Sequence, residues 1–273
     1  MNNTKKILFQ TISAGLLMIF VFSCTENKVT GRRQLKLIPE SQLQSMAFQQ
    51  YSQFLKQSKV VPVSNNVQSE MVQRVGKKIA AAITEYYQNE KQGGVLDGFK
   101  WEFNLVDDKQ VNAWCMPGGK VVVYTGILPI TKTEAGLAVV MGHEIAHALA
   151  LHGNERVSQG LLQQFGGIAL QVALSDHPAE TQSLFMNAYG IGTTVGAILP
   201  FSRKHELEAD RFGLRFAALA GYDPVEGIDL WRRMAAASGG QKPPEILSTH
   251  PADETRIEKM KKYAEEAKKY YHP

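Results

Sequence analysis

The chain has 273 residues, 44% of them hydrophobic, and a formal charge of +4. That length suits one large domain with appendages and a core of its own. The charge is small and no basic run forms a stripe, which argues against nucleic acid as a partner.

Lys5 and Lys6 precede an apolar run, "ILFQTISAGLLMIFVF", that ends at Ser23-Cys24. A positive start, an apolar stretch and a small residue before the break read as a secretory signal over 1–23. The closing "VFSC" resembles a bacterial lipobox with Val21 in place of the usual leucine, which makes Cys24 the expected lipidation site. An uncleaved anchor helix is the alternative, and either reading tethers the chain to a membrane. Thr25 rather than an aspartate follows the cysteine. The expected place is therefore a bacterial cell envelope, lipid-anchored and facing the periplasm, with the outer membrane favoured over the inner. Cys115 then has no intramolecular partner and is expected to be a small buried residue.

Residues 24–40 are polar and read as a tether and lead-in, leaving 41–273 as the main domain. From Ser41 the apolar positions Leu43, Met46, Ala47, Tyr51 and Phe54 recur at helical spacing. A second amphipathic helix covers 67–87, with Val67, Met71, Val75, Ile79 and Ile83 on one face. "KQGGVLDG" is a loop, and 99–106 alternates as a strand does. "VNAWCMPGGKVVVYTGIL" holds two short apolar runs about a Pro-Gly-Gly turn and predicts a hairpin. Thr131 and Glu134 have capping-box spacing, so a helix is expected from there to about Leu151, ended by His152-Gly153. The apolar stretches 161–174 and 184–201 are too short and glycine-rich for membrane spans. They read as core helices, with a mobile or membrane-contacting lid as the alternative. Another helix covers 203–220, closed by Gly221 with Pro224 beyond, and a charged helical tail covers 253–271. The expected fold class is mainly α with a small β-sheet (α+β).

Chemistry concentrates in "VVMGHEIAHALALHG", residues 139–153. Residues four apart share a helix face, so His143 and His147 can offer two imidazole nitrogens to one ion. Glu144 lies about 100° round the helix and reaches a metal-bound water without being a ligand. Apolar flanks make two unpaired histidines costly there. A catalytic zinc needs a third protein ligand and an open position. His152 points to another face and reads as a helix-end residue near the carbonyl terminus. In "SRKHELEADRFG", 202–213, Glu206 and Asp210 share a face while Glu208 faces elsewhere. Glu206 fits a ligand, and Asp210 fits the acceptor for the free N–H of a zinc-bound histidine.

These pieces, with "NAWCMPGG", "AGYDP" and "STHPADETRI" in the same order, resemble the zinc metallopeptidase family that includes HtpX, BepA and the CAAX prenyl proteases, most closely its bacterial lipoprotein and periplasmic members. "VTGRRQLKLI" resembles the family's lead-in. The resemblance implies a zincin-like metallopeptidase with one Zn2+ per chain, held by His143, His147 and Glu206, with Glu144 as the catalytic base. The predicted hairpin offers an edge strand to which a substrate can bind by β-addition, with little sequence preference, so unfolded or misassembled envelope proteins are the expected substrates of this endopeptidase. Prenylated substrates are not expected, because the several spans of a CAAX protease are missing. A chaperone-like lipoprotein with a weakly proteolytic zinc site is the rival, and a structural zinc site a third reading. His250, in a loop before a proline, is expected to fold over the cleft. There it would either donate to the oxyanion or occupy zinc's open position; a packing histidine is the alternative.

Overall fold

The computed structural model describes residues 24–169, 172, 179–189, 202–237, 246, 250 and 254–273. The expected leader, 1–23, and much of 161–201 lie outside the described residues. Residues 24–40, expected as a tether and lead-in, are packed. They form a hairpin of β1 (Cys24–Glu26) and β2 (Arg33–Leu35), and then bury Leu37 and Ile38. The hairpin is held by Asn27, whose side chain accepts from Val29 and Thr30 backbone N–H and donates to Leu149 O.

Helices α1 (Glu40–Gln57) and α2 (Val67–Asn89) follow at the spacing read from the sequence. Asn66 caps α2 by accepting from Ser69 N–H. Next come β3 (Glu102–Val106), β4 (Ala113–Met116) and β5 (Lys120–Tyr124). β4 and β5 are the expected antiparallel hairpin, with Gly118 and Gly119 at φ of +78° and +81° in its turn. β3 pairs in parallel with β5, giving the order β3-β5-β4 and leaving β4 at the edge. Alternate residues face opposite ways. Phe103, Leu105, Ala113, Cys115, Val121 and Val123 enter one core, and Val106, Trp114, Met116, Val122 and Tyr124 enter another. The sheet is covered on both faces, which explains the unbroken apolar run in "KVVVY". Cys115 is free and buried, as expected.

A short helix, α3 (Leu128–Thr131), precedes α4 (Glu134–Leu149). Thr133, not Thr131, caps α4, accepting from Gly136 N–H. Glu134 pairs with Arg74 of α2 rather than reaching back to the cap. Every residue from Gly136 to Leu149 is buried, as expected of a helix that is apolar all round. The chain then turns at Leu151, in the left-handed region at φ 56°. His152 and Gly153, expected to end α4, instead begin α5 (His152–Phe165).

The remaining described helices are α6 (Ala179–Ala188), α7 (Arg203–Leu219), α8 (Glu226–Ala237) and α9 (Glu254–Lys268). α6 packs on α5, and α7 packs on α4 and α9. Ser202 caps α7 and Gly221, at φ +79°, closes its end. Among the described residues no helix is long and apolar enough to cross a membrane.

Candidate active site

Two glycines let α4 and α7 meet backbone to backbone. A Cβ on Gly142 would stand 2.6 Å from the carbonyl oxygen of Gly213, and one on Gly213 would stand 2.7 Å from the backbone nitrogen of His143. Only glycine permits that approach. It sets His143 and His147 of α4 against Glu206 and Asp210 of α7.

At the crossing four potential ligand atoms, from His143, His147, Glu206 and His250, lie within 4.8 Å of one another. His143 Nε2 is 3.1 Å from His147 Nε2 and 3.6 Å from Glu206 Oε2. His147 Nε2 is 3.4 Å from Glu206 Oε1. His250 Nδ1 is 3.3 Å from His143 Nε2 and 3.0 Å from Glu206 Oε1. Zinc ligands about 2.0–2.2 Å from a tetrahedral ion stand about 3.3–3.6 Å apart. The observed spacings lie near those edge lengths, and the donors are the nitrogen and carboxylate ligands zinc takes. The four residues therefore fit a zinc ion. Glu144 is outside the set, with its Oε1 3.6 Å from His250 Nε2.

Each α4 histidine points Nε2 inward and has a polar side chain close behind its Nδ1. His143 Nδ1 is 3.0 Å from Asp210 Oδ1, as the helical phase of 206 and 210 predicts. His147 Nδ1 is 2.9 Å from His152 Nδ1. His152 is thus no helix-end residue near carbonyls. The turn at Leu151 reverses its expected direction and brings it beside His147. Glu208 is away from the four-atom set, as expected, and meets His152 and Arg32 instead.

Residues 66–264 match Peptidase family M48. The chain belongs to that family. Its similar proteins include the mitochondrial metalloendopeptidase OMA1 of Saccharomyces cerevisiae, 34% identical over 73% of this chain and 57% of that protein. OMA1 of Schizosaccharomyces pombe is 39% identical over 63% of this chain and 49% of that protein. The beta-barrel assembly-enhancing protease of Yersinia pestis is 31% identical over 62% of this chain and 35% of that protein. The chain thus spans about half the length of the first two relatives and less of the third. M48 peptidases use zinc, in agreement with the donor set.

The expected location is corrected by these relatives. OMA1 proteins from yeasts, a plant and vertebrates are named as mitochondrial, and the human one aligns over 98% of this chain. They overturn the placement in a bacterial outer membrane. That placement rested on residues 1–25, where an apolar run behind two lysines carries little information beyond its hydrophobicity, and on the resemblance to the family's bacterial lipoprotein and periplasmic members.

The M48 site also contains Arg256, which the sequence reading passed over. Its Nη1 is 2.7 Å from Glu206 Oε2, and its Nε and Nη2 each lie 2.8 Å from an oxygen of Asp210. The guanidinium sits 4.0 Å over the ring of Trp231. Burial pushes both carboxyls up, but their hydrogen bonds and neighbouring charges outweigh it. Glu206 is held well below the usual range by His250, His147 and Arg256, and Asp210 is lowered by Arg256 and His143. Burial dominates at Glu144, raising it against the opposing pull of His250 and His143, and at His147, which it lowers. A buried cation bridging two buried acids leaves a weak sequence signal, an arginine six residues after His250 in one motif.

Proposed function

We propose that the chain is a zinc-dependent endopeptidase that cleaves unfolded or misassembled proteins. The observation that carries it is the convergence of His143 Nε2, His147 Nε2 and a Glu206 oxygen at tetrahedral spacing, with Glu144 beside them. In this reading His143, His147 and Glu206 are the zinc ligands and Asp210 orients His143. Zinc held there would polarise the scissile carbonyl and lower the pKa of water toward about 7. Glu144 takes the proton of the attacking water and delivers it to the leaving amine. The substrate lies along β4 at the edge of the sheet, held by backbone hydrogen bonds with little sequence preference. That mode suits extended, unfolded chains. Relatives named metalloendopeptidases, and one named for beta-barrel assembly, support a part in protein quality control.

The test uses the full chain and a labelled unfolded polypeptide. A chelator should abolish cleavage, one equivalent of zinc should restore it, and the folded form of the polypeptide should be cleaved at least tenfold more slowly. Cleavage that persists after complete zinc removal would overturn the proposal.

One observation favours a restrained, weakly proteolytic resting state. His250 Nδ1 takes the place of a fourth ligand, and Ile246, just before it, donates its N–H to Val111 O beside the start of β4. The cleft between Trp114, Glu144, His147, Tyr189 and His250 holds about 20 Å³, enough for one water and not for a peptide. Between the two expected roles of His250, this placement supports the blocking one. His250→Ala should raise basal cleavage of the unfolded polypeptide about tenfold or more, by releasing a closed population. A fall in rate with unchanged zinc content would assign His250 to oxyanion binding instead.

Acylation of Cys24 belongs to the proposal as chemistry, apart from any placement. Cys24→Ser should abolish labelling with a palmitate analogue, and persistent labelling would remove it.

A further inference from the structure

Behind His147 runs a buried polar network that the hydrolysis proposed above does not use. His152 Nε2 is 2.9 Å from Glu208 Oε2. Arg32, in the turn of the β1–β2 hairpin, grips Glu208 with Nε at 2.9 Å and Nη2 at 3.2 Å. Its Nη1 and Nη2 reach Glu155 at 2.9 and 2.6 Å. Glu155 also meets His205 Nε2 at 3.0 Å, and the His205 ring stacks on His152 at 4.4 Å. His205 immediately precedes Glu206. The network therefore touches the chain at both sides of the metal centre, one imidazole away from His147 and one residue away from Glu206.

We propose that His152, Glu208 and Arg32 are positioning residues for His147, so that the N-terminal hairpin supports the metal centre from outside the stretch that matches the family. The proposal rests on the zinc site proposed above. To offer its Nε2 lone pair to zinc, His147 must carry its proton on Nδ1. That proton points at His152 Nδ1, which must accept it. His152 then has its own proton on Nε2, directed at Glu208. The acceptor there is Glu208 Oε2, and the guanidinium of Arg32 fixes that carboxylate with a two-point grip. Each member fixes the tautomer of the next. Loss of Arg32 frees Glu208 to turn away, His152 loses its orientation, and His147 loses the acceptor that aims its ring. The arrangement is enclosed. His152 is fully buried and the side chains of Arg32, Glu155 and Glu208 are 14%, 9% and 17% exposed. Solvent screening is therefore limited.

The test compares zinc affinity, by competition with a chromogenic chelator at a temperature where every variant is folded, with thermal stability. His152→Leu should weaken zinc binding about 10- to 100-fold, the usual cost of removing a partner behind a ligand. His152→Gln offers one acceptor and one donor in similar places, so it should stay within about threefold of native. Arg32→Met should weaken binding about three- to tenfold, with Arg32→Lys recovering part of it. The cobalt-substituted protein adds a signature, because the visible bands of tetrahedral Co2+ should shift in His152→Leu and Arg32→Met and not in His152→Gln. If Arg32→Met fails to fold, the isosteric Glu208→Gln decides, with the same expected weakening. Variants that lower the melting temperature while zinc affinity and the cobalt spectrum stay native would overturn the proposal and leave the network purely structural. Failure of the native chain to bind zinc would instead overturn the reading beneath it, so the two failures are distinct.

Discussion

Glu144→Gln is expected to abolish cleavage of an unfolded polypeptide while leaving zinc bound. The substitution keeps shape and volume in a fully enclosed position on α4 and removes only the ability to take a proton. General-base catalysis contributes about 10²- to 10⁴-fold, so the rate should fall by at least that range. Zinc should stay because Glu144 is outside the four-atom set and its Oε1 faces His250 at 3.6 Å. The same variant should hold substrates along β4 without cutting them, and crosslinking followed by mass spectrometry would then identify them. A residual rate within tenfold of native, at full zinc occupancy, would assign the proton transfer to another group.

The parts of the site that were legible in the sequence are those set by a single helix. His143 and His147 are one turn apart on α4, so their convergence follows from helical pitch alone. Glu206 and Asp210 share a face of α7 for the same reason, and Glu208 turns away as the phase demands. Contacts between helices were not legible. Nothing in the sequence marks Gly142 and Gly213, and only the crossing of α4 and α7 shows that they set its distance. His152 was misread because a non-glycine residue, Leu151, adopts φ 56° and reverses the chain. Nothing in leucine signals that conformation.

The fold shows the same division. The amphipathic helices and the Pro-Gly-Gly hairpin carry strong local patterns and lie where expected. The β1–β2 hairpin has strands of three residues, too short for alternation to register, and its place is fixed by Arg32 reaching across to Glu155 and Glu208. α8 went unread, although Leu230, Trp231 and Met234 bury one of its faces. The parallel pairing of β3 with β5 depends on a connection through β4 that no local pattern specifies.

Arg256→Met should be the most damaging single change to stability outside the apolar cores. The guanidinium is 1% exposed and bridges two carboxylates that are themselves 1% and 0% exposed. Removing one partner of a buried charge network typically costs about 3–5 kcal/mol, because the remaining charges stay buried and uncompensated. Methionine keeps most of the volume over Trp231, so a cavity contributes little and the loss is electrostatic. The penalty should depend on the metal. Bound zinc brings two positive charges to Glu206, and through His143 to Asp210, and so replaces part of what Arg256 supplies. Urea unfolding in the presence of chelator should therefore show the full loss, and unfolding with zinc at saturation a smaller one. By thermodynamic linkage the variant's folded state gains more from zinc than the native protein's does. Arg256→Lys should recover less than half of the loss, since a single ammonium cannot span Glu206 Oε2 and both oxygens of Asp210 at once. A loss below about 1 kcal/mol in chelator would show that the two carboxyls tolerate burial without the arginine, with protonation of one of them as the physical route.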